Sequence, residues 1–324
     1  MKRVFTVLAL LIVVLLAGAG GYIYSKQPTR QGQIELRNLQ GSVTVRYDER
    51  GVPHIRAENE TDLYRALGYV HAQDRLFQME AMRRLARGEL AEVLGPKLLD
   101  TDKLFRSLRI RERAASYVAS LDKQSPAWKG LQAYLDGINQ YQDTHAAPVE
   151  FDVLGIPKRP FTAEDSISVA GYMAYSFAAA FRTEPLLTYV RDQLGADYLN
   201  VFDLDWQPKG VLAKSHSTSA PALAANDWKD LTALARLSEQ ALIDNGLPQF
   251  EGSNAWVIAG SRSQSGKPLL AGDPHIRFSV PSVWYEAQLS APGFELYGHH
   301  QALVPFAFLG HNLDFGWSLT MFQN

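Results

Sequence analysis

The first apolar run is unbroken. It extends from Val4 to about Tyr24, behind Lys2 and Arg3. A basic start before such a run reads as an export signal. Ala17-Gly18-Ala19 fits a small-residue cleavage site, and the whole run also has the roughly 20 residues that span a bilayer. Cleaved signal, retained anchor and buried helix therefore all stand. For the first two, the basic pair stays cytoplasmic and the rest is exported. Residues 26–40 are polar and read as a linker.

Beyond the linker the period changes. Val43, Val45 and Tyr47 alternate with polar residues, Asp48-Glu49-Arg50-Gly51 turns the chain, and Pro53-His54-Ile55 begins a second strand. Over residues 60–88, Leu63, Leu67, Val70, Leu76, Phe77 and Met79 follow helical spacing, with Thr61 as the expected N-cap. Gly88 interrupts and Gly95-Pro96 stops this helix. Further helices are expected over 103–121, over 126–142 with Pro126 in the first turn, over 163–193, and over 230–243. The three prolines of 146–163 predict a loop. Lys214 to Asn226 offers Leu223 as its one large side chain and reads as an exposed linker. From residue 254, short strand-like runs broken by Gly and Pro predict a sheet: 255–259, 268–271, 282–289, 294–298, 303–309 and 315–321. The sequence stops inside the last run, which reads as a fragment of a longer protein.

Composition narrows the chemistry. Charge is nearly balanced, 32 Lys+Arg against 34 Asp+Glu, and the basic residues are scattered, so no nucleic-acid partner is expected. The absence of cysteine excludes disulfides, a thiol nucleophile and thiolate metal sites.

Two blocks carry a resemblance. The first is Gly51-Val52-Pro53-His54-Ile55, then Gly68-Tyr69-Val70-His71-Ala72-Gln73-Asp74-Arg75-Leu76-Phe77-Gln78-Met79 and Arg83 to Gly95. The second is Gly252-Ser253-Asn254-Ala255-Trp256 with Ser265 to His275. Together they resemble the penicillin acylase family of N-terminal-nucleophile hydrolases, which includes acyl-homoserine-lactone acylases, over residues 40 to 324. The resemblance implies an α+β fold, the αββα sandwich of that family. Residues 1–25 are then a signal or anchor, 26–210 a mainly helical light chain, 211–252 a spacer cut or removed on maturation, and 253–324 the start of a sheet-rich heavy chain. The processed light and heavy chains would remain together as a heterodimer.

The second block has a physical reading of its own. A serine hydroxyl needs a base. The Gly-x-Ser-x-Gly elbow of triad hydrolases is absent, since Asn254-Ala255 follow Ser253. A serine at a chain terminus has its own α-amino group, with a reference pKa of about 7.7–8, as base. That requires a cut between Gly252 and Ser253, where the small glycine permits a tight backbone. An isolated Gly-Ser is otherwise ordinarily a turn, and a Ser-His-Asp triad remains a third arrangement.

What else the resemblance implies concerns the surroundings of Ser253. His275 stands where lactone and cephalosporin acylases carry histidine and penicillin G acylases glutamine, and it would exchange the α-amino proton through water. The competing reading is a strand-end histidine. The backbone N–H of Met321 supplies one oxyanion donor, and an asparagine after residue 324 the other. Met173, Phe177 and Ile276 line the acyl pocket, or are plain core. Ser176 stands where penicillin G acylases carry a basic residue. No cofactor serves catalysis. Many relatives bind one structural calcium, and Glu184 lies near their glutamate ligand, allowing a one-residue shift. A solvated surface glutamate is the other reading. Asp74-Arg75 and Arg83-Arg84 are structural ion pairs. The expected activity is release of an acyl group from an acyl-homoserine lactone, a small-molecule acyl amide. The alternatives are a penicillin or cephalosporin acylase, and an anchored binding protein that kept the fold without activity.

Overall fold

A computed structural model describes residues 2–195, 198, 230, 233, 236, 237, 240, 250–276 and 278–320. The chain divides into two compact units: Met1–Arg83 with Ala114–Ile167 and Pro281–Trp317, and Arg84–Arg113 with Ser168–Val280 and Ser318–Asn324. The fold is α+β.

The first unit begins with α1 (Lys2–Ser25), along which Leu10 to Leu16 are all exposed. Tyr22 donates to Asp152, and Lys26 reaches both Asp152, at 2.6 Å, and the Ala147 carbonyl, at 2.8 Å. Among the described residues no helix is long and apolar enough to cross a membrane. The alternating segments form β1 (Thr44–Tyr47) and β2 (Pro53–Arg56), an antiparallel pair. Four later strands complete their sheet: β5 (Tyr285–Ala291), β6 (Phe294–Gln301), β7 (Val304–His311) and β8 (Gly316–Trp317). The order is β1-β2-β5-β6-β7-β8, with only the β2–β5 pair parallel. On β5 the period of two is strict, burying Tyr285, Ala287 and Leu289.

The long helix α2 (Glu60–Arg87) is kinked at Arg75, where φ is −140°. Its N-cap is Asn59, not Thr61: Asn59 Oδ1 accepts the Asp62 N–H at 2.9 Å. Asparagine is the better cap, and it stands two residues before the expected one while the helix keeps its expected start at residue 60. α2 crosses α6 (Pro126–Thr144) at very short range. A Cβ on Gly68 would lie 1.9 Å from the Tyr134 carbonyl oxygen, and one on Gly137 would lie 1.9 Å from that of Arg65. Glycine is required at both points because backbone meets backbone. Ser125 caps α6 by accepting the Trp128 N–H, ahead of Pro126 at the first helical position.

Polar groups tie the helices to the sheet. The buried His71 ring stacks on Tyr285, centroids 4.0 Å apart, and its Nδ1 lies 2.8 Å from the Tyr134 hydroxyl. Burial holds the His71 and His300 imidazoles well below their usual range, His300 at about 4. Asp74 accepts from Tyr285 at 2.9 Å and from Arg30 at 2.9 Å. Arg83 is bracketed by the buried carboxylates of Glu80 and Asp165 and lies 4.0 Å over the Phe161 ring. Asp74 and Arg83 are thus both held in ion pairs, Asp74 with Arg30 rather than with its neighbour. The expected loop over 146–163 contains a short helix, α7 (Val149–Leu154), closed by Gly155 at φ 64°.

The second unit opens with α3 (Ala91–Leu94), a 3₁₀ turn (Pro96–Leu98) and α4 (Leu99–Ser107). Asp102 accepts the N–H groups of Leu90 and Ala91 at 2.9 and 2.8 Å, which holds α3 in place. The single helix expected over 103–121 is broken, since Arg109 turns left-handed at φ 54° before α5 (Ile110–Ser120). The helix expected over 163–193 is likewise two, α8 (Ala163–Phe177) and α9 (Ala179–Gln193), because Ala178 leaves the helical region at ψ 62°. Phe105 packs on Tyr172 and Tyr175 of α8, with centroids 5.6 and 5.4 Å away. An antiparallel hairpin of β3 (Phe250–Ile258) and β4 (Leu269–Ile276) follows. Of the element expected over 230–243, residues 230, 233, 236, 237 and 240 are helical, and the remainder lies outside the described residues, as does the linker 214–226.

Candidate active site

The hairpin of the second unit carries the serine singled out by sequence. Its register pairs Gly252 with His275, Ser253 with Pro274 and Asn254 with Asp273. The ladder is irregular between Phe250 and Gly252, a bulge immediately before the Gly252–Ser253 peptide. Bulges increase local twist and re-aim side chains, and are frequent beside active sites. Much of the hairpin is solvent-exposed, including Trp256, Val257, Leu269 and Leu270.

Glycine at 252 has a steric reason. A Cβ there would stand 3.2 Å from Nδ1 of His275. The bare backbone lets the imidazole edge sit against the peptide expected to be cut. The other ring nitrogen has two neighbours: Nε2 lies 3.1 Å from Asp273 Oδ2 and 3.3 Å from Asn254 Nδ2. Nε2 cannot serve both at once. As N–H it donates to Asp273, and as a lone pair it accepts from Asn254. In the first state of the neutral ring, Nδ1 is the free base and faces Gly252. Asp273 is itself fixed, because its Oδ1 accepts the Asn254 N–H at 3.2 Å.

The Ser253 hydroxyl has a partner that sequence reasoning missed. Its Oγ donates to Thr320 Oγ1 at 3.1 Å, and Thr320 in turn donates to the Ser253 carbonyl at 3.1 Å. The separation of 67 residues hid this pair. Asp273 stood inside a quoted motif, and a carboxylate two residues from a strand histidine, on the same face, was the available signal.

The remaining expected residues are more scattered. Ile276 ends β4 opposite Phe250 and is half-buried. Met173 is buried on α8, Phe177 is half-buried at its C-terminal end, and α8 shares no extended packing with β3 or β4 among the described residues. Ser176 is buried and donates to the Met173 carbonyl at 2.7 Å, so its hydroxyl is used within the helix. Met321 lies outside the described residues. Glu184 belongs to α9, and its side chain also lies outside them. Among the described residues no group of three His, Asp or Glu side chains is placed to hold a metal ion.

A serine beside a glycine peptide, a histidine across the ladder and a carboxylate bonded to that histidine thus stand together on one hairpin. The family model for penicillin amidase matches residues 42–324, and the chain belongs to that family. It is 32% identical over 302 residues to the penicillin acylase 2 proenzyme of Pseudomonas sp. (strain SE83), covering 90% of this chain and 38% of that protein. It is 30% identical over 309 residues to the acyl-homoserine lactone acylase QuiP of Pseudomonas aeruginosa, covering 91% of this chain and 35% of the relative. The solved thermostable penicillin G acylase from Alcaligenes faecalis is 29% identical, with a TM-score of 0.41, and the match covers 57% of this chain and all of that one. The chain thus spans a little over a third of the length of the curated relatives it matches.

Proposed function

We propose that the full protein is a self-processing N-acyl amide hydrolase whose nucleophile is Ser253 at a new chain terminus. Ser253 Oγ attacks the Gly252 carbonyl carbon. The new O–C bond forms as the Gly252 C–N bond breaks, and the hydroxyl proton ends on the freed α-amine. Water then hydrolyses the ester, leaving a Gly252 carboxylate and a free Ser253 terminus. That α-amine serves as base when Ser253 attacks a substrate amide, forming an acyl-enzyme that a second water releases. The observation that carries this reading is the apposition of His275 Nδ1 to the bare Gly252 at the serine's own peptide bond. His275 holds or exchanges the proton in both stages, and the Met321 N–H is assigned to the oxyanion.

The substrate we assign is an acyl-homoserine lactone. Support comes from His275, from the relatives named as lactone acylases, and from Ser176, whose buried hydroxyl is spent on the Met173 carbonyl and offers no charge to a penicillin carboxylate. Met173, Phe177 and Ile276 are assigned to an apolar acyl pocket, where each buried methylene contributes about 0.8 kcal/mol until the pocket is full. The second reading, a penicillin acylase, is favoured by the similarity to the Pseudomonas penicillin acylase 2 proenzyme. Lys2-Arg3 ahead of an apolar helix supports export to the periplasm, by a cleaved signal or a retained anchor. The test is competition between lactones of rising acyl length and penicillin G, scored by kcat/KM on the full-length enzyme. A lactone preference that grows with chain length is expected. Preference for penicillin G selects the second reading, and no turnover of any acyl amide leaves only a binding role.

A further inference from the structure

Thr320 is bonded to Ser253 twice. It accepts from the side-chain hydroxyl and donates to the main-chain carbonyl, each at 3.1 Å. A serine side chain has one free torsion, and two bonds to one partner fix both that torsion and the backbone that carries it. Thr320 is not a base at neutral pH, because a neutral hydroxyl oxygen accepts a hydrogen bond but does not take up a proton there. What it can do is hold the Ser253 hydroxyl in one rotamer, with the proton turned to Thr320 and the oxygen lone pairs left for attack.

A second contact keeps Thr320 in reach. Gly272 on β4 pairs with Ala255 on β3. A Cβ on Gly272 would fall 1.8 Å from Ser318 Oγ and 2.6 Å from Ser318 Cβ. Segment 318–320 therefore lies directly against the hairpin, through a gap that exists only because residue 272 has no side chain. Two residues after Ser318 stands Thr320, whose hydroxyl meets that of Ser253. Gly272 admits the segment, and the segment delivers the hydroxyl to Ser253.

We infer that Thr320 is a positioning residue for the Ser253 nucleophile, acting both in the cut at Gly252–Ser253 and in later turnover. The inference rests on the proposed role of Ser253. It goes beyond that role by naming what aims the hydroxyl. Losing the aim costs reaction geometry rather than substrate affinity, so it appears in the processing rate and in kcat while KM holds.

The experiment uses purified full-length precursor, following by mass the release of a chain that begins at Ser253. Thr320→Val keeps the shape and removes the hydroxyl. Thr320→Ser keeps the hydroxyl and removes the methyl. Gly272→Ala leaves Thr320 intact and pushes Ser318 away. We expect processing about 10-fold slower or worse in Thr320→Val and Gly272→Ala, with Thr320→Ser within about 3-fold of the parent. Matured Thr320→Val should show the same loss in kcat with KM unchanged. Circular dichroism and the urea midpoint separate a folding failure from a chemical one. If Thr320→Val does not fold, the comparison of folded Thr320→Ser with folded Gly272→Ala decides: parental rates in both overturn the inference. Folded Thr320→Val with parental processing and kcat also overturns it, as does Thr320→Ser impaired as severely as Thr320→Val. A parent precursor that never exposes Ser253 defeats the proposed function instead.

Discussion

Arg83 offers a quantitative test of how the first unit is held together. Its guanidinium joins the buried carboxylates of Glu80 and Asp165, covers Phe161, and donates to the carbonyls of Pro160 and Arg159 at 3.0 and 3.3 Å. Arg83→Met removes all of these donors while keeping much of the stem. Asp165 tolerates the loss, because Thr162 still donates to it through its N–H, at 2.9 Å, and its hydroxyl, at 3.0 Å. Glu80 is worse placed. It is fully buried, and a further cation near it among the described residues, Arg159, lies 3.4 Å away with its side chain partly in solvent. Removing one partner of a buried pair costs about 3–5 kcal/mol, mostly through the charge left behind. About 4 kcal/mol is expected here, read as a shift of the urea midpoint at constant m-value. Adding Glu80→Gln should return about 2 kcal/mol, since a buried amide costs less than a buried carboxylate. A loss below about 1 kcal/mol in the single variant, or no recovery in the double, would refute this reasoning.

Three other outcomes follow from named contacts. Gly68→Ala drives a methyl group into the Tyr134 carbonyl and should cost about 3 kcal/mol or more, and adding Gly137→Ala should cost less than twice that, because helices already forced apart accommodate both. His300 ionises near 4 when folded against 6.5 when free, so between those values the unfolded chain binds the extra proton. Stability should therefore fall as pH drops from 6.5 towards 4, by about 3 kcal/mol in all from this residue, and His300→Leu should flatten that slope in urea titrations at stepped pH. An unchanged slope would reject the assignment to His300. Ser253→Ala should abolish both processing and turnover, whereas Ser253→Cys should still cleave and lose most acylase activity, since a thiol is nucleophilic enough for the intramolecular step. Normal maturation of Ser253→Ala would remove Ser253 as the processing nucleophile.

The sequence spoke most clearly where a period repeats. The 2-residue alternation marked β1, runs broken by Gly and Pro marked the β5 to β7 meander, and the apolar spacing of α2 placed that helix to within a few residues. It was silent where one backbone angle decides. Nothing in the side chains at Arg109 or Ala178 announces a break, and no spacing distinguishes Asn59 from Thr61 as the cap without knowing where the first carbonyl is bonded. The same division runs through the site. Gly252, Ser253 and His275 are brought together because the two strands that bear them are consecutive in the chain and pair as a hairpin. Thr320 comes from a segment 67 residues on, packed through a gap at Gly272, and long-range packing of that kind leaves no local pattern. The contact of His275 with Gly252 could not be read either, since it depends on a register that a one-residue slip would reverse.

The central claim is that Ser253 becomes a chain terminus. The direct measurement is the intact mass and N-terminal sequence of the heavy chain from mature full-length protein. The account predicts two tightly associated chains, the second beginning Ser253-Asn254-Ala255. Full acylase activity in a single uncleaved polypeptide, or a heavy chain beginning at any other residue, would contradict it.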